Sequence, residues 1–386
     1  MRHLLIVEEL LSCGRMWGAS ADSLREEAAV MLLSLARDLV CLPQTRVSAL
    51  LSSEALAGAV GDSLRLAGVE LLLSADGPEQ WLRSPPVSPA QFTATLAIAP
   101  ESSGLLVQRL QQLQSGMWSG VTSLNVSWLQ AMLFGDKAAT AVWLGAHDLR
   151  TPETWLLTES AAERLAGCLA TGRLDLRTGQ LWDGGECSDL PVDTALYVLK
   201  PRDGCGCGGV QLVCLSREQL AAVRLESESE SESESESVQA GVLSERYRWL
   251  LQPLQSGRHC SAALIGLGDQ GVVLLPAGEQ WIECEWGRFR YTGGSLPAGD
   301  ELQQAVLAAL RQLAVLLGGF RGWLGVDFVF VEGGELQIVE INPRLCTSYA
   351  GYRLLAETSL AGVLCGDFAV GGGELSWRSE RVNFRV

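Results

Sequence analysis

The sequence is short of basic charge, of histidine and of long apolar runs, and each shortage closes off a class of function. Lysine and arginine number 29 against 45 acidic residues, a formal charge of −16, and setting aside the six glutamates of one repeat brings it only to −10. A nucleic-acid binder needs a basic footprint on the phosphates, so nucleic acid is not expected as a partner. Three histidines in 386 residues point any metal toward hard oxygen ligands. No apolar stretch approaches the roughly 20 residues of a spanning helix. The opening MRHLLIVEELLSCG is broken by two glutamates, so neither a signal peptide nor a membrane anchor is expected. The 11 cysteines are scattered singly apart from Cys205 and Cys207, which is not the pattern of a disulfide scaffold and fits reduced thiols in a cytoplasm. A Walker phosphate loop is missing too, because no G-K-[ST] follows a glycine-rich turn. What is present is apolar material, 47% of a chain longer than one core usually organises, so two or three subdomains are expected.

The chemically richest stretch is GWLGVDFVFVEGGELQIVEINPRLCTSYAGY, from Gly322 to Tyr352. Val326 to Val331 and Leu336 to Ile341 are strand-like runs around a glycine-centred turn, a hairpin signature. Glu340 and Asn342 are two apart and share a face, and Asp327 can face them from the paired strand. Three hard oxygen ligands on one sheet surface suit Mg²⁺, or Mn²⁺ in its stead, completed by water and substrate phosphates. Arg344 adds a planar cation suited to phosphate or carboxylate. The plain alternative is a surface hairpin with solvated acids, which the apolar flanks Phe328, Phe330, Ile338, Val339 and Ile341 disfavour.

The first third alternates short apolar runs (Leu4 to Glu8, Val47 to Leu51, Val69 to Leu73, Leu96 to Ala99) with helical patterns (Leu24 to Val40, Glu54 to Leu66, Gln80 to Arg83, Leu105 to Leu113). Such alternation predicts a doubly wound parallel sheet, with Ser23 as N-cap of the first helix and Glu26 as its capping-box partner. Ligands bind such sheets beyond the carboxyl ends of their strands, here the loop Glu9 to Ser20 and Pro100-Glu101-Ser102.

Asp136 can cap a helix that carries Lys137 in its first turn, where a cation opposes the helix dipole unless an anion sits nearby. Lys200 ends a strand that runs into Gly204-Cys205-Gly206-Cys207-Gly208-Gly209, whose bare N–H groups suit phosphate. Cys205 and Cys207 as a thiolate metal site would need a second cysteine pair. Glu226 to Ser237 is a strict Glu-Ser repeat with nothing to bury and is expected to be a solvated, disordered insertion. Tyr291 to Gly294, with Pro297, is expected as a tight loop before a helix over Glu301 to Leu317, which buries Leu302, Val306, Leu310, Leu313 and Leu317 and stops at Gly318-Gly319.

The D…E-x-N-P-R pattern of Asp327, Glu340, Asn342 and Arg344, the Asp136-Lys137 pair and the glycine-rich turn after Lys200 resemble the ATP-grasp ligases. That resemblance implies an α/β (α+β) ATP-grasp fold: an N-terminal doubly wound pre-ATP-grasp domain over 1–115, a connecting helical segment over 116–188, a mobile lid subdomain over 189–255 and a C-terminal antiparallel-sheet metal and ATP domain over 256–386. It implies Mg²⁺ on Asp327, Glu340 and Asn342, and ATP phosphates on Lys137, Lys200, Gly204, Gly206, Gly208 and Gly209. Adenine would lie at Gln252, Pro253, Leu254 and Gln255, with the Pro253 carbonyl accepting and the Gln255 N–H donating. Catalysis would fall to Arg344 and Lys200, since Gly325 stands where D-alanine ligases carry an arginine.

In finer detail, Glu9 to Gly14, Ile98 to Glu101 and Asn342 to Arg353 are similar to the ATP-grasp group containing the tyramine-glutamate ligase of methanofuran and methylofuran biosynthesis. This implies a carboxylate, the L-glutamate side chain, joined to an amine, tyramine, through an acyl phosphate with release of ADP and phosphate. Glu9, Ser348, Tyr349 and Arg353 are then substrate candidates, with Tyr349 equally placed for the core and Tyr349 or Tyr352 available to stack on a phenol. The partners implied are ATP, an amino-acid carboxylate and an amine, with no membrane and a homodimer left open. The alternatives are an ATP-grasp ligase for another acid and amine pair, and a nucleotide-binding relative without turnover.

Overall fold

The computed structural model describes residues 1–13, 21–183, 186–188, 190, 192–224, 247–331, 333–367 and 375–385. The Glu-Ser repeat, residues 14–20 of the first loop and Glu332 lie outside them.

The apolar runs of the first third form β1 (Arg2–Glu8), β2 (Thr45–Leu51), β3 (Glu70–Leu73), β4 (Ala94–Ile98) and β5 (Thr122–Ser123), all parallel, in the order β3-β2-β1-β4-β5. Alternation along β1 sends Leu4 and Ile6 into one core with Leu32, Leu35 and Leu39 of the helix Ala21–Val40. Leu5 and Val7 go into a second core with Trp81, Leu106 and Leu110. Helices therefore cover both faces, as the fully apolar strands require. Three details differ from expectation. The expected loop from Glu9 opens with a short helix, Glu9–Cys13, the Leu24 to Val40 helix begins at Ala21, so Ser23 lies inside it rather than capping it, and the Glu54 to Leu66 pattern is split at an extended Gly58 into Ser53–Ala57 and Ala59–Leu66. The strand order reverses at β1, which opens a crevice between the chain leaving β1 and the chain leaving β4.

One polar pair is locked inside this region. Arg109 donates to Glu9 through Nε (2.6 Å) and Nη2 (2.9 Å), with the two side chains 4% and 3% exposed. Removing one partner strands the other charge, so Arg109→Ala is expected to cost about 3–5 kcal/mol. The check is a lower urea midpoint at unchanged slope, with Arg109→Met/Glu9→Gln recovering most of the loss.

The rest of the chain builds a sheet of fourteen strands. They are β6 (Trp155–Thr158), β7 (Arg173–Asp175), β8 (Gln180–Asp183), β9 (Glu186–Ser188), β10 (Thr194–Pro201), β11 (Gln211–Ser216), β12 (Tyr247–Pro253), β13 (Gly257–Leu267), β14 (Val272–Leu274), β15 (Gly278–Glu285), β16 (Arg288–Leu296), β17 (Arg321–Val331), β18 (Leu336–Asn342) and β19 (Val382–Arg385). The main path runs β18-β17-β13-β15-β16-β11-β10-β12-β6. It has a seam: β11 and β16 meet only at Gln211 opposite Arg288, beside the Leu212 N–H bond to the Gly287 carbonyl (2.8 Å). On one side of the seam β6, β10, β11 and β12 share a core of Trp155, Leu199, Val213 and Leu251 with the helix Glu159–Ala166. On the other, β13, β17 and β18 pack on the helix Asp300–Leu317, which buries Leu302, Val306, Leu310 and Leu313, while Leu317 is only partly covered.

Tyr291 to Gly294 is not a loop but the middle of β16. Gly293 and Gly294 are needed there because neighbouring strands run close on either side: a Cβ would stand 2.2 Å from the Phe384 carbonyl of β19 at the first and 2.5 Å from the Glu279 carbonyl of β15 at the second. Among the described residues the cysteines are free, and no helix is long and apolar enough to cross a membrane.

Candidate active site

The hairpin of β17 and β18 sets the acids. Asp327 pairs directly with Glu340 and Gly325 with Asn342, so the three polar side chains emerge together. Asp327 Oδ1 accepts from Gln280 Nε2 and Oδ2 from Asn342 Nδ2, each at 2.9 Å. Burial, and then the charge of Glu340, push the Asp327 carboxyl up to about 7. Two acids forced together out of water are an arrangement that a cation relieves. Among the described residues no group of three or more His, Cys, Asp or Glu could hold a metal alone. Two carboxylates and an amide oxygen do fit an ion that takes the rest of its shell from phosphate and water.

Lys137 and Lys200 are the only lysines in the sequence, and both are buried at this hairpin, 7% and 4% exposed. Asp136 caps the helix Lys137–Ala146 through the N–H groups of Ala138 and Ala139 and also holds Arg202 at 2.9 Å. The Lys137 N–H donates to the Arg202 carbonyl (3.0 Å), and its ammonium donates to the Gly204 carbonyl and lies 3.3 Å from Glu340 Oε1. Burial would lower the Lys137 pKa, but Glu340 and Glu101 raise it on balance. Lys200 makes no ion pair among the described residues; burial lowers it to about 8, with Glu340 opposing and Lys137 adding to the fall. A buried ammonium facing a cavity without a counterion is suited to an anionic ligand.

Lys200, Asp327, Glu340 and Asn342 line a cavity of about 210 Å³ between the two sides of the sheet seam, and Lys137 stands behind Glu340 without lining it. Gly206 and Cys207 border it, whereas Gly204, Gly208 and Gly209 shape the turn without lining it. Gly209 (φ 76°) has to be glycine, since a Cβ would sit 2.9 Å from the Pro201 ring. At the far end Gln252, Pro253, Leu254 and Gln255 form the wall. Gln252 Nε2 donates to Thr154 Oγ1 (2.7 Å), and the Pro253 carbonyl accepts from Gln255 Nε2 (3.1 Å). A hollow of about 830 Å³ lies behind β15, yet it contains neither lysine, none of the three hairpin ligands and no Arg344, so the smaller cavity is where the chemistry gathers.

Arg344 follows β18 and meets Glu101, from the chain leaving β4, at 2.8 Å, with the side chains 11% and 3% exposed. The approach is not along an N–H direction, so Arg344 Nε and both Glu101 oxygens remain buried without a hydrogen-bond partner. Burial works against the Arg344 charge, but Glu101 raises its pKa on balance. Gly325 lies under this turn: a Cβ there would stand 2.3 Å from Cys346 Sγ. Absence of a side chain at 325 is thus a packing requirement of the Cys346 turn.

Ser348 and Thr347 line the cavity, but the other substrate candidates sit elsewhere. Glu9 is consumed by Arg109. Tyr349 is fully buried, donating to Asp38 Oδ2 (2.5 Å), and Tyr352 donates to the Pro276 carbonyl (2.7 Å); both rings meet Trp323 edge-on. These tyrosines are core, because the helix Tyr349–Leu355 turns them against β13 and the helix Ala21–Val40 rather than toward the metal hairpin. Arg353 is not among the residues lining the cavity. Sequence reasoning did not single out Glu8, Glu27, Gln280 or Tyr291. Glu8, whose carboxylate accepts from the Leu11 N–H (2.7 Å), is pushed up to about 8 by burial and borders Arg344 in the crevice beyond β1 and β4. The apolar-to-acid transition at the end of β1 was a signal for Glu8; nothing local marked the other three.

The ATP-grasp domain family profile matches residues 134–348, more than half of the chain, and the chain belongs to this family. No curated protein sequence matches it. Among solved structures, an ATP-grasp superfamily protein from Archaeoglobus fulgidus is similar at 18% identity, covering 95% of this chain and 88% of its own, with a TM-score of 0.58. Biotin carboxylase from Campylobacter jejuni, crystallised as a β,γ-ATP complex, is similar at 14% identity over 97% and 72% of the two chains, TM-score 0.60. The biotin carboxylase domain of Hydrogenobacter thermophilus 2-oxoglutarate carboxylase, a dimer in complex with MgADP, ADP and bicarbonate, is similar at 14% identity over 95% and 70%, TM-score 0.58. These likenesses are of fold.

Proposed function

We propose that the chain is an ATP- and Mg²⁺-dependent ligase that activates a carboxylate as an acyl phosphate and passes the acyl group to an amine, releasing ADP and phosphate. The observation that carries this reading is the gathering of Lys200, Arg344 and the Asp327–Glu340–Asn342 set around one cavity, with the Lys137 ammonium 3.3 Å from Glu340. On this reading Lys137, Lys200 and the Gly206 turn hold the phosphates, and Gln252 to Gln255 hold adenine, the Pro253 carbonyl accepting and the Gln255 N–H donating. Asp327, Glu340 and Asn342 hold the metal, which when bound supplies positive charge against the phosphates. Arg344 faces the acyl phosphate oxygens, and Glu101 keeps it in position. Phosphoryl transfer needs positioning and charge neutralisation more than a protein nucleophile, in keeping with a site built of cations and metal ligands.

The subdomain reading of 1–115, 116–188, 189–255 and 256–386 belongs to the same proposal, with the seam between β11 and β16 as the place where a lid would move. A cytoplasmic location accords with the free thiols. L-glutamate and tyramine are the first pair to try. With Tyr349 and Tyr352 in the core, Phe289, Tyr291 and Phe328 are the phenyl and phenol rings that border the cavity. The test supplies purified protein with ATP, Mg²⁺ and a panel of amino-acid carboxylates, with hydroxylamine as trap, and reads hydroxamate and ADP. Hydroxamate with at least one acid is the expected result; its absence from the whole panel would overturn the ligase reading. Mass spectrometry for γ-glutamyltyramine decides the narrower pair.

A further inference from the structure

Glu27, on the helix Ala21–Val40, has no part in the nucleotide or metal assignments, yet it stands where three hollows meet. One is the cavity described above. The second is a gap beside Glu8 and Arg344, and the third is a hollow of about 420 Å³ on the outer side of the glycine-rich turn. Thr347 Oγ1 donates to Glu27 Oε2 (3.0 Å), which fixes the carboxylate, while Oε1 is turned toward Gly206, 3.6 Å from where a Cβ of that residue would lie. The outer hollow joins the nucleotide cavity through Glu27, Cys207, Phe289 and Tyr291, so it gives a second way in, separate from the adenine end. Leu24, Phe289 and Tyr291 give it an apolar and aromatic wall, while Glu283, Glu285, Arg288 and Arg290 line the remainder, with Arg290 engaged with Glu283 at 2.7 Å. A carboxylate at the inner end of such a passage, with one oxygen uncommitted among the described residues, selects an ammonium group, and the apolar wall suits an apolar body behind it.

We propose that Glu27 binds the ammonium group of the amine substrate at the inner end of this passage and takes its proton. The neutral amine then attacks the carbonyl carbon of the acyl phosphate. The C–N bond forms, the C–O bond to phosphate breaks, the second N–H proton leaves with the phosphate, and the proton on Glu27 returns to solvent. Burial raises the Glu27 pKa, with Thr347 and Arg344 opposing, which suits a proton acceptor better than a fully solvated acid would. The proposal rests on the ligase reading and extends it to the class of the second substrate, a primary amine with an apolar body.

The test compares wild type with Glu27→Gln, and with Glu27→Asp as the conservative variant, in the hydroxamate assay with the best carboxylate of the panel. Hydroxylamine is mostly uncharged near neutral pH and needs no carboxylate to hold it. Tyramine, phenethylamine and 1,4-diaminobutane, all ammonium ions there, are added as competitors. The expected result is that the amine concentration that halves hydroxamate formation, read against each variant's own amine-free rate, rises about tenfold or more in Glu27→Gln, with Glu27→Asp in between. Equal competition in wild type and Glu27→Gln, or no competition by any amine in wild type, would overturn the role of Glu27 alone. Absence of hydroxamate from wild type would overturn the ligase reading beneath it.

Discussion

Glu340→Gln is expected to lower Mg²⁺-dependent ADP formation about 10³-fold or more, because a divalent ion at phosphate supplies several kcal/mol of charge stabilisation. Glu340 is the residue on which three parts of the site converge: it pairs with Asp327 across the hairpin, lies two residues from Asn342, and stands 3.3 Å from the Lys137 ammonium. The amide is nearly isosteric, so the strand keeps its packing through Ile338 and Ile341, and the melting temperature should move by only a few degrees. Asn342→Ala is expected to lose turnover as well, since it removes a candidate ligand and the donor at 2.9 Å that orients Asp327. Steady-state ADP release across a Mg²⁺ titration, beside thermal melts, checks both. Near wild-type turnover in saturating Mg²⁺ for either variant would refute the metal assignment.

Much of this architecture was legible because it rests on periodicity. The β1 run alternates between two cores, so any reading of its apolar residues leads to a sheet covered on both sides. The Glu340 and Asn342 spacing fixes their shared face whatever the surroundings. What escaped the sequence depends on contacts across long separations. Glu101 meets Arg344 from a different sheet, and Glu27 meets Thr347 from 320 positions away in the chain. The choice left open for Tyr349, substrate or core, falls to the core, and Tyr352 joins it there, for the same reason: their neighbourhood in sequence is the metal hairpin, while their neighbours in space are Asp38, Pro276 and Trp323. The glycines of β16 look like a turn until β19 is laid against them from the end of the chain. The lysines were recognised by motif, but that the chain carries no others and buries both at one hairpin is a stronger signal than either motif.

Arg344→Met should separate catalysis from stability. Its partner Glu101 is 3% exposed and has no hydrogen-bond donor of its own, so removing the guanidinium leaves a buried acid with, among the described residues, no ion-pair contact and only the Lys137 charge in its surroundings. That is expected to cost about 3–5 kcal/mol of stability at neutral pH. Turnover should fall about 10²–10³-fold through loss of a fixed cation at the developing charge. Adding Glu101→Gln is expected to restore most of the stability, since the stranded charge is gone, and none of the turnover. Urea denaturation alongside the ADP assay reads the two effects independently. If the double variant recovered turnover together with stability, Arg344 would be a structural partner of Glu101 and not a group that acts on the acyl phosphate.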